Sequence, residues 1–296
     1  MLATSPLLPD HPALPLLGGW RLVRRLSRTR YFELFLAAPA TCDPDWPADY
    51  VVKSARQEAD AAPVAARLLQ REVQVARSIA HPHLATILDE QTRHDPPFVV
   101  QPFYEGKPWE LMMSCNEGRI ASACWTGRQI AEALQALHQA GWVHGDVKPS
   151  NVIVSPVGHA TLIDLGSARR LDRNGQVIPE SLLELTAGYA APEWFLDQPR
   201  VTPAADVYSL GVCLYETLTG ERLFPYEEPR RLLEAHREEL PPHLRHKNPQ
   251  VPADTARLVH RMLAKDPTAR PSIGAVIETL VRTEIAFFSQ TADIPA

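Results

Sequence analysis

His144-Gly145-Asp146-Val147-Lys148-Pro149-Ser150-Asn151 runs directly into the apolar stretch Val152-Ile153-Val154, and Leu162-Ile163-Asp164-Leu165-Gly166 follows soon after. A carboxylate, an ammonium and an amide therefore fall within six positions, and a second carboxylate lies eighteen positions after the first. Each polar cluster adjoins an apolar run, which suits turn residues held at the ends of short strands.

Outward from this stretch the chain changes character once. C-terminal to Gly106 the pattern is mostly helical: Ile130, Leu134 and Leu137 recur at helical spacing and stop at Gly141, a natural C-cap. Val207, Leu210, Gly211, Leu214 and Leu218 do the same before Gly220, and Leu258, Val259, Met262 and Leu263 before Asp266-Pro267. Between Trp20 and Phe103 the signals are β-type runs at Tyr31 to Leu36, Tyr50 to Lys53 and Phe98 to Val100. One helical segment, about Ala65 to Ile79, interrupts them and ends at His81-Pro82. Pro39 to Asp49, rich in Pro and Asp, reads as an exposed insertion between two strands. The expected class is α+β: a small antiparallel sheet with one main helix (about 19–103), a link near Gln101 to Gly106, and a larger, mostly helical lobe (about 107–284). Residues 1–18 are expected to be a flexible Pro-rich arm and 285–296 a short tail.

Composition narrows the function classes. The chain has 296 residues, 30 Lys+Arg against 35 Asp+Glu, and a net charge of −5, which lacks the broad positive field that nucleic acid or anionic membranes require. No run approaches the ~18 consecutive apolar residues of a membrane span, and the first 18 residues lack a cationic signal region. A cytoplasmic protein is expected. Cys42, Cys115, Cys124 and Cys213 form no CxxC pair and read as buried reduced thiols, not zinc ligands or disulfides.

HxDxKxxN followed by DxG resembles the catalytic loop and metal-binding motif of the protein kinases, with Leu165 where Phe is usual. The resemblance extends from about Trp20 to Leu280. Tyr50-Val51-Val52-Lys53 resembles the strand-lysine motif, Glu72 falls on the following helix, and Ala191-Pro192-Glu193 resembles the APE motif. Asp206 to Gly211 resembles the long buried helix beneath the catalytic loop, and Arg270 matches the arginine that pairs with the APE glutamate. Taken singly, several residues have a plainer reading: Lys53 as a solvated strand end, Glu72 as one charge on an exposed helix face, Asn151 and Asp164 as turn residues.

The resemblance implies a bilobal protein-kinase-like fold and an ATP-dependent serine/threonine protein kinase that moves the γ-phosphoryl group of MgATP to protein hydroxyls. Such transfer depends on positioning and charge stabilisation around a highly charged transition state. The implied roles are phosphate contact by Lys53 held by Glu72, Mg²⁺ binding by Asn151 and Asp164, proton acceptance by Asp146, and charge neutralisation by Lys148. Leu26, Leu34, Val51 and Ile153 would surround the adenine, with the Pro102 carbonyl and Tyr104 N–H on its edge. Thr186 matches the threonine that bonds near the catalytic Asp and Lys in serine/threonine kinases. His144 is implied to be a packing residue, and Glu193 with Arg270 a buried structural pair.

Two departures stand out. Ser27, Thr29 and Phe32 occupy the three glycine positions of the phosphate-covering hairpin, so side chains should hinder backbone approach to phosphate. Arg28 or Arg30 could offset this by contacting phosphate, or both could simply be solvated. Gly145 stands where many kinases carry the arginine that holds a phosphorylated activation loop, so activity should not require phosphorylation of Ser181. The missing glycines keep a pseudokinase scaffold open as an alternative, and the His-Gly-Asp order keeps open a small-molecule phosphotransferase. The Pro-rich arm could engage a partner domain as polyproline helix or be merely disordered.

Overall fold

The computed structural model describes residues 16–112, 119–178, 186–196 and 198–292. Cys115, Ser181 and the first 15 residues of the Pro-rich arm lie outside the described residues. The chain divides into two compact units, one comprising the chain up to Val73 with Thr86–Phe103, the other Gln74–Ala85 with the chain from Tyr104 onward.

The first unit is an antiparallel sheet with a helix. Its elements are β1 (Leu16–Leu17), β2 (Trp20–Arg28), β3 (Phe32–Pro39), β4 (Tyr50–Ala55), α1 (Ala62–Ser78, of which the part from Gln74 on falls in the second unit), β5 (Asp89–Gln91) and β6 (Phe98–Pro102). The sheet order is β1-β2-β3-β4-β6-β5, with β1 drawn from the end of the expected arm. Alternation along the strands buries Leu22, Phe35, Ala37, Val52, Phe98 and Val100 as one cluster. Trp20 lies against Tyr50 and donates from Nε1 to Asp89 Oδ2 at 2.9 Å, tying strands from distant parts of the sheet. The Pro39 to Asp49 connection is largely exposed, as its composition suggested, and an Asx turn organises it, with Asp45 N donating to Asp43 Oδ1.

The second unit is mainly helical: β7 (Lys107–Pro108), α2 (Arg119–Gln139), β8 (Trp142–Val143), β9 (Val152–Val154), β10 (Ala160–Leu162), β11 (Arg169–Arg170), α3 (Ala204–Thr219), α4 (Pro229–Glu238), α5 (Leu244–Lys247), α6 (Ala253–Met262) and α7 (Ile273–Ala292). Every residue of α3 from Ala205 to Leu218 is buried, so its polar members, Asp206, Ser209, Glu216 and Thr217, must find partners inside the protein. The helix ends at Gly220, whose φ of 74° places it in the left-handed region. α7 continues to Ala292, past residue 285, where a tail was expected to begin. Small ladders, β10-β9-β7 and β11-β8, carry the loops that flank Asp146 and Asp164. No helix among the described residues is long and apolar enough to cross a membrane.

Cys124 and Cys213 are buried free thiols, and desolvation pushes the Cys124 thiol up to about 12. Cys42, expected to be buried, is only half-buried, because it sits in the exposed insertion.

Candidate active site

In the first unit Lys53 lies in β4 and Glu72 on α1, and Lys53 Nζ donates to Glu72 Oε2 at 2.8 Å. Both are nearly sequestered from solvent, at 5% and 1% exposure, so neither takes its plainer reading as a solvated charge. A buried ion pair holds only when its remaining lone pairs are satisfied. Gln101 meets that need here: its Nε2 donates to Glu72 Oε1 at 2.8 Å. Sequence reasoning assigned Gln101 to the link and missed this role. The signal was present in register, since Gln101 pairs with Val51, two residues from Lys53 on the same face of β4.

Leu34 pairs with Lys53 across β3 and β4, so Leu34, Val51 and Lys53 share one face of the sheet. Leu34 and Val51 are half-buried, as are Leu26 in β2 and Pro102 at the end of β6. Tyr104 and Ile153, the other two residues implied to hold the base, belong to the second unit.

The β2–β3 hairpin closes without glycine. Thr29 N donates to Phe32 O at 2.8 Å, and Phe32 N donates to Thr29 Oγ1 at 3.1 Å. Arg56 clamps the tip by donating to the carbonyls of Thr29 and Arg30. Arg28, one candidate for phosphate contact, is paired with Glu58 at 2.9 Å and lies 3.5 Å from Glu33. Arg30 lies over the Tyr31 ring. Arg28 thus keeps about half of its side chain in solvent while pairing with two surface carboxylates, in line with the plainer of the two readings of these arginines.

In the second unit, the loop after β8 gathers the polar groups. Asp146 Oδ1 accepts from Thr186 Oγ1 at 2.7 Å, and the same hydroxyl accepts from Lys148 Nζ at 2.7 Å. Lys148 Nζ also lies 2.6 Å from Asp146 Oδ2. Asn151 Nδ2 donates to the Asp146 carbonyl at 2.9 Å and to Oδ2 at 3.1 Å. These bonds engage the amide nitrogen with Asp146, so Oδ1 is the Asn151 atom whose lone pairs could serve a cation. Ile163 N donates to the Asn151 carbonyl at 2.9 Å, which ties the residue before Asp164 to Asn151.

Asp164 has φ 64° and ψ 66° and is the one non-glycine with positive φ among the described residues. Such a conformation costs energy in an L-residue and persists where its surroundings impose it, a pattern common at functional sites. Leu165, next in the chain, is buried in the core of the unit and anchors this turn.

Asp206 braces the loop from below. It accepts from His144 N at 2.8 Å, Gly145 N at 2.9 Å and His138 Nε2 at 2.8 Å. Burial alone would push its carboxyl up, but the hydrogen bond and charge of His138, with help from His144 and Gly145 N, hold it below the usual carboxylate range. Sequence reasoning placed Asp206 on a buried helix without seeing that it receives two loop amides. His144 is fully buried, its Nδ1 accepting from Asp146 N at 3.2 Å, which is a packing and orienting position.

Gly145 has φ 76°, and a Cβ there would meet the Ser167 carbonyl oxygen at 3.1 Å. Glycine relieves both strains, and an arginine would not. Further along, Arg270 Nη1 and Nη2 form a bidentate pair with Glu193 at 2.6 and 2.8 Å, deeply buried. Arg270 also donates to the carbonyls of Ala204, Ala264 and Lys265. That network fastens the Ala191-Pro192-Glu193 turn to the helical core, the structural role expected of the pair.

Among the described residues no group of three or more His, Cys, Asp or Glu side chains could hold a metal ion unaided. Asn151 Oδ1 and the Asp164 carboxylate are hard oxygen donors, a set that suits Mg²⁺, which takes one or two protein oxygens and completes its shell with water and phosphate.

A sheet-and-helix unit that carries a buried Lys–Glu pair and a helical unit that carries the Asp146–Lys148–Asn151 loop and the strained Asp164 are together characteristic of the protein kinases, and the chain belongs to that family. The family model for the protein kinase domain matches residues 46–281. The chain is similar to serine/threonine-protein kinase PknA of Mycobacterium tuberculosis, 31% identical over 226 residues, covering 74% of this chain and 51% of the relative. It is similar also to serine/threonine-protein kinase PknB of the same organism, 32% identical over 235 residues, covering 75% and 36% respectively. A probable serine/threonine-protein kinase, pknA2 of Bifidobacterium longum, is 31% identical over 209 residues, covering 70% and 27%. The chain thus spans about half or less of the length of these relatives.

Proposed function

We propose that the chain is an ATP-dependent serine/threonine protein kinase that transfers the γ-phosphoryl group of MgATP to Ser or Thr hydroxyls of protein substrates. The observation that carries this is the closed triangle of Asp146, Lys148 and Thr186, with contacts of 2.6 to 2.7 Å. A carboxylate held at a fixed angle by a hydroxyl and an amide is oriented to accept a proton from an incoming alcohol. The adjacent ammonium is placed to offset negative charge as the phosphoryl group moves. Family membership and the names of the relatives support the same conclusion.

In this assignment Lys53, aligned by Glu72 and Gln101, contacts the α/β-phosphates. Asn151 Oδ1 and Asp164 hold Mg²⁺, which supplies neutralisation of the β- and γ-phosphate charge. Leu26, Leu34, Val51 and Ile153 pack on the adenine, and the Pro102 carbonyl and Tyr104 N–H bond its edge. Lys148 and Thr186 favour an aliphatic hydroxyl over tyrosine as acceptor, and the Ala191-Pro192-Glu193 turn favours a protein over a small molecule.

The pseudokinase alternative rests on one observation, the glycine-free hairpin whose Phe32 ring covers Lys53. One experiment separates the readings: purified chain, labelled ATP, Mg²⁺ and a generic basic protein, beside Asp146→Asn and Asp164→Ala. Label on serine or threonine with wild type alone is expected. No transfer above the variants would leave the scaffold reading, and phosphoserine or phosphothreonine in the protein product would disfavour a small-molecule phosphotransferase.

A further inference from the structure

The hairpin that should cover phosphate is closed over Lys53. Phe32, the first residue of β3, stands at the third glycine position and is 6% exposed. Lys53 Nζ lies 4.5 Å from the centroid of its ring, an attractive cation–π geometry. Glu72 Oε2 also accepts a hydrogen bond from the same ammonium at 2.8 Å, and Glu72 is itself held by Gln101.

The hairpin is not loosely placed. Arg56 binds two tip carbonyls with its side chain and the Tyr31 carbonyl with its backbone N–H, at 2.9 to 3.2 Å. Glu58 holds Arg56 and Arg28 together, so the tip is fastened to the segment that follows β4. Ring, clamp and ion pair belong to one compact unit: the ring and Glu72 contact the ammonium, and the clamp fixes the hairpin from which the ring projects.

We propose that Phe32 is a plug that sets nucleotide affinity: a triphosphate reaches Lys53 only after the ring has left it. This rests on the reading of Lys53 as the phosphate-contacting lysine. Binding then draws on a minor, open population of the hairpin, and observed affinity falls by the fraction that is open. Glycine at this position, as in the family pattern, would leave the ammonium uncovered. Arg56 and Glu58 become the residues that hold the plug shut.

The test measures Kd for MgATP and for a non-hydrolysable analogue on the full chain, with wild type, Phe32→Ala, Phe32→Gly and Phe32→Tyr. Phe32→Ala is expected to bind at least about tenfold tighter, and Phe32→Tyr, which keeps the ring, to match wild type. A purely structural role for a buried Phe predicts the opposite direction, weaker binding on truncation. A second readout needs no nucleotide: the rate of Lys53 acylation by a water-soluble amine reagent, located by mass spectrometry, should rise at least about fivefold in Phe32→Ala. Equal Kd values with equal acylation rates would overturn the plug while leaving the kinase assignment intact. Absence of nucleotide binding in wild type and variants alike, with folded protein by circular dichroism, would overturn both.

Discussion

Replacing Thr186 by valine removes one hydroxyl and changes volume little, so it isolates the triangle around Asp146. The hydroxyl donates to Asp146 Oδ1 and accepts from Lys148 Nζ, both at 2.7 Å. A hydrogen bond to a charged group contributes about 1.5–3 kcal/mol. The change removes both bonds, but the direct contact of Lys148 Nζ with Asp146 Oδ2 at 2.6 Å keeps the ammonium paired, so the uncompensated loss is the one bond that orients Asp146 Oδ1. If the bond matters fully in the transition state, kcat/KM falls by about 10- to 150-fold, at about 1.4 kcal/mol per decade. Thr186→Ser retains the hydroxyl and should stay within about threefold of wild type. The assay is steady-state transfer to a basic protein substrate, with thermal unfolding run in parallel to show that Tm moves little. A Thr186→Val enzyme with wild-type kcat/KM would refute the view that this hydroxyl orients the base.

Other consequences follow from groups outside the triangle. Arg270→Met leaves the Glu193 carboxylate buried and unpaired, which costs about 3–5 kcal/mol and should lower Tm by about 10 °C; a shift below about 2 °C in calorimetry would contradict the structural role. His236 is buried between Tyr208 and Phe224 beside Lys265, and desolvation, with the Lys265 charge, lowers its pKa from 6.5 to about 4. Its folded pKa lies below its unfolded value, so the unfolded chain binds the extra proton first. Stability is therefore present above pH 6.5 and is lost as pH falls toward 4, by up to about 3 kcal/mol; urea midpoints at pH 7.5 and 5 should differ in wild type and converge in His236→Gln. Gly145→Ala forces an L-residue to φ 76° and sets its Cβ against the Ser167 carbonyl, a cost of about 1–2 kcal/mol that chemical denaturation would detect; unchanged stability would show that the loop can shift.

Much of the fold was legible because its signals are local. Periodicity marked α3 and its glycine stop, and β-type runs marked β3, β4 and β6 within a few residues. The helix α1 begins at Ala62, earlier than the expected Ala65, since Ala62-Pro63-Val64 carries a Pro that suits a first turn. β2 was harder to read, because arginines at its exposed positions dilute the alternation, and its pairing with β3 contains two register shifts. The site was legible where the residues sit in one loop: Asp146, Lys148 and Asn151 are close in sequence and end up in mutual contact.

What the amino-acid order determined by itself was the inventory and its spacing: which carboxylates, ammoniums and amides exist, and that short strands and turns present them. Tertiary structure decided their partners. Thr186 meets Asp146 across 40 positions, Asp206 receives the amides of His144 and Gly145 across 62 and 61, and Gln101 meets Glu72 across 29. Phe32 turning onto Lys53, with Arg28 taken by Glu58, belongs to the same category. The physical reason is that a hydrogen bond or ring contact forms only within a few ångströms, and which distant groups come that close depends on how sheets and helices pack, an outcome no local pattern encodes.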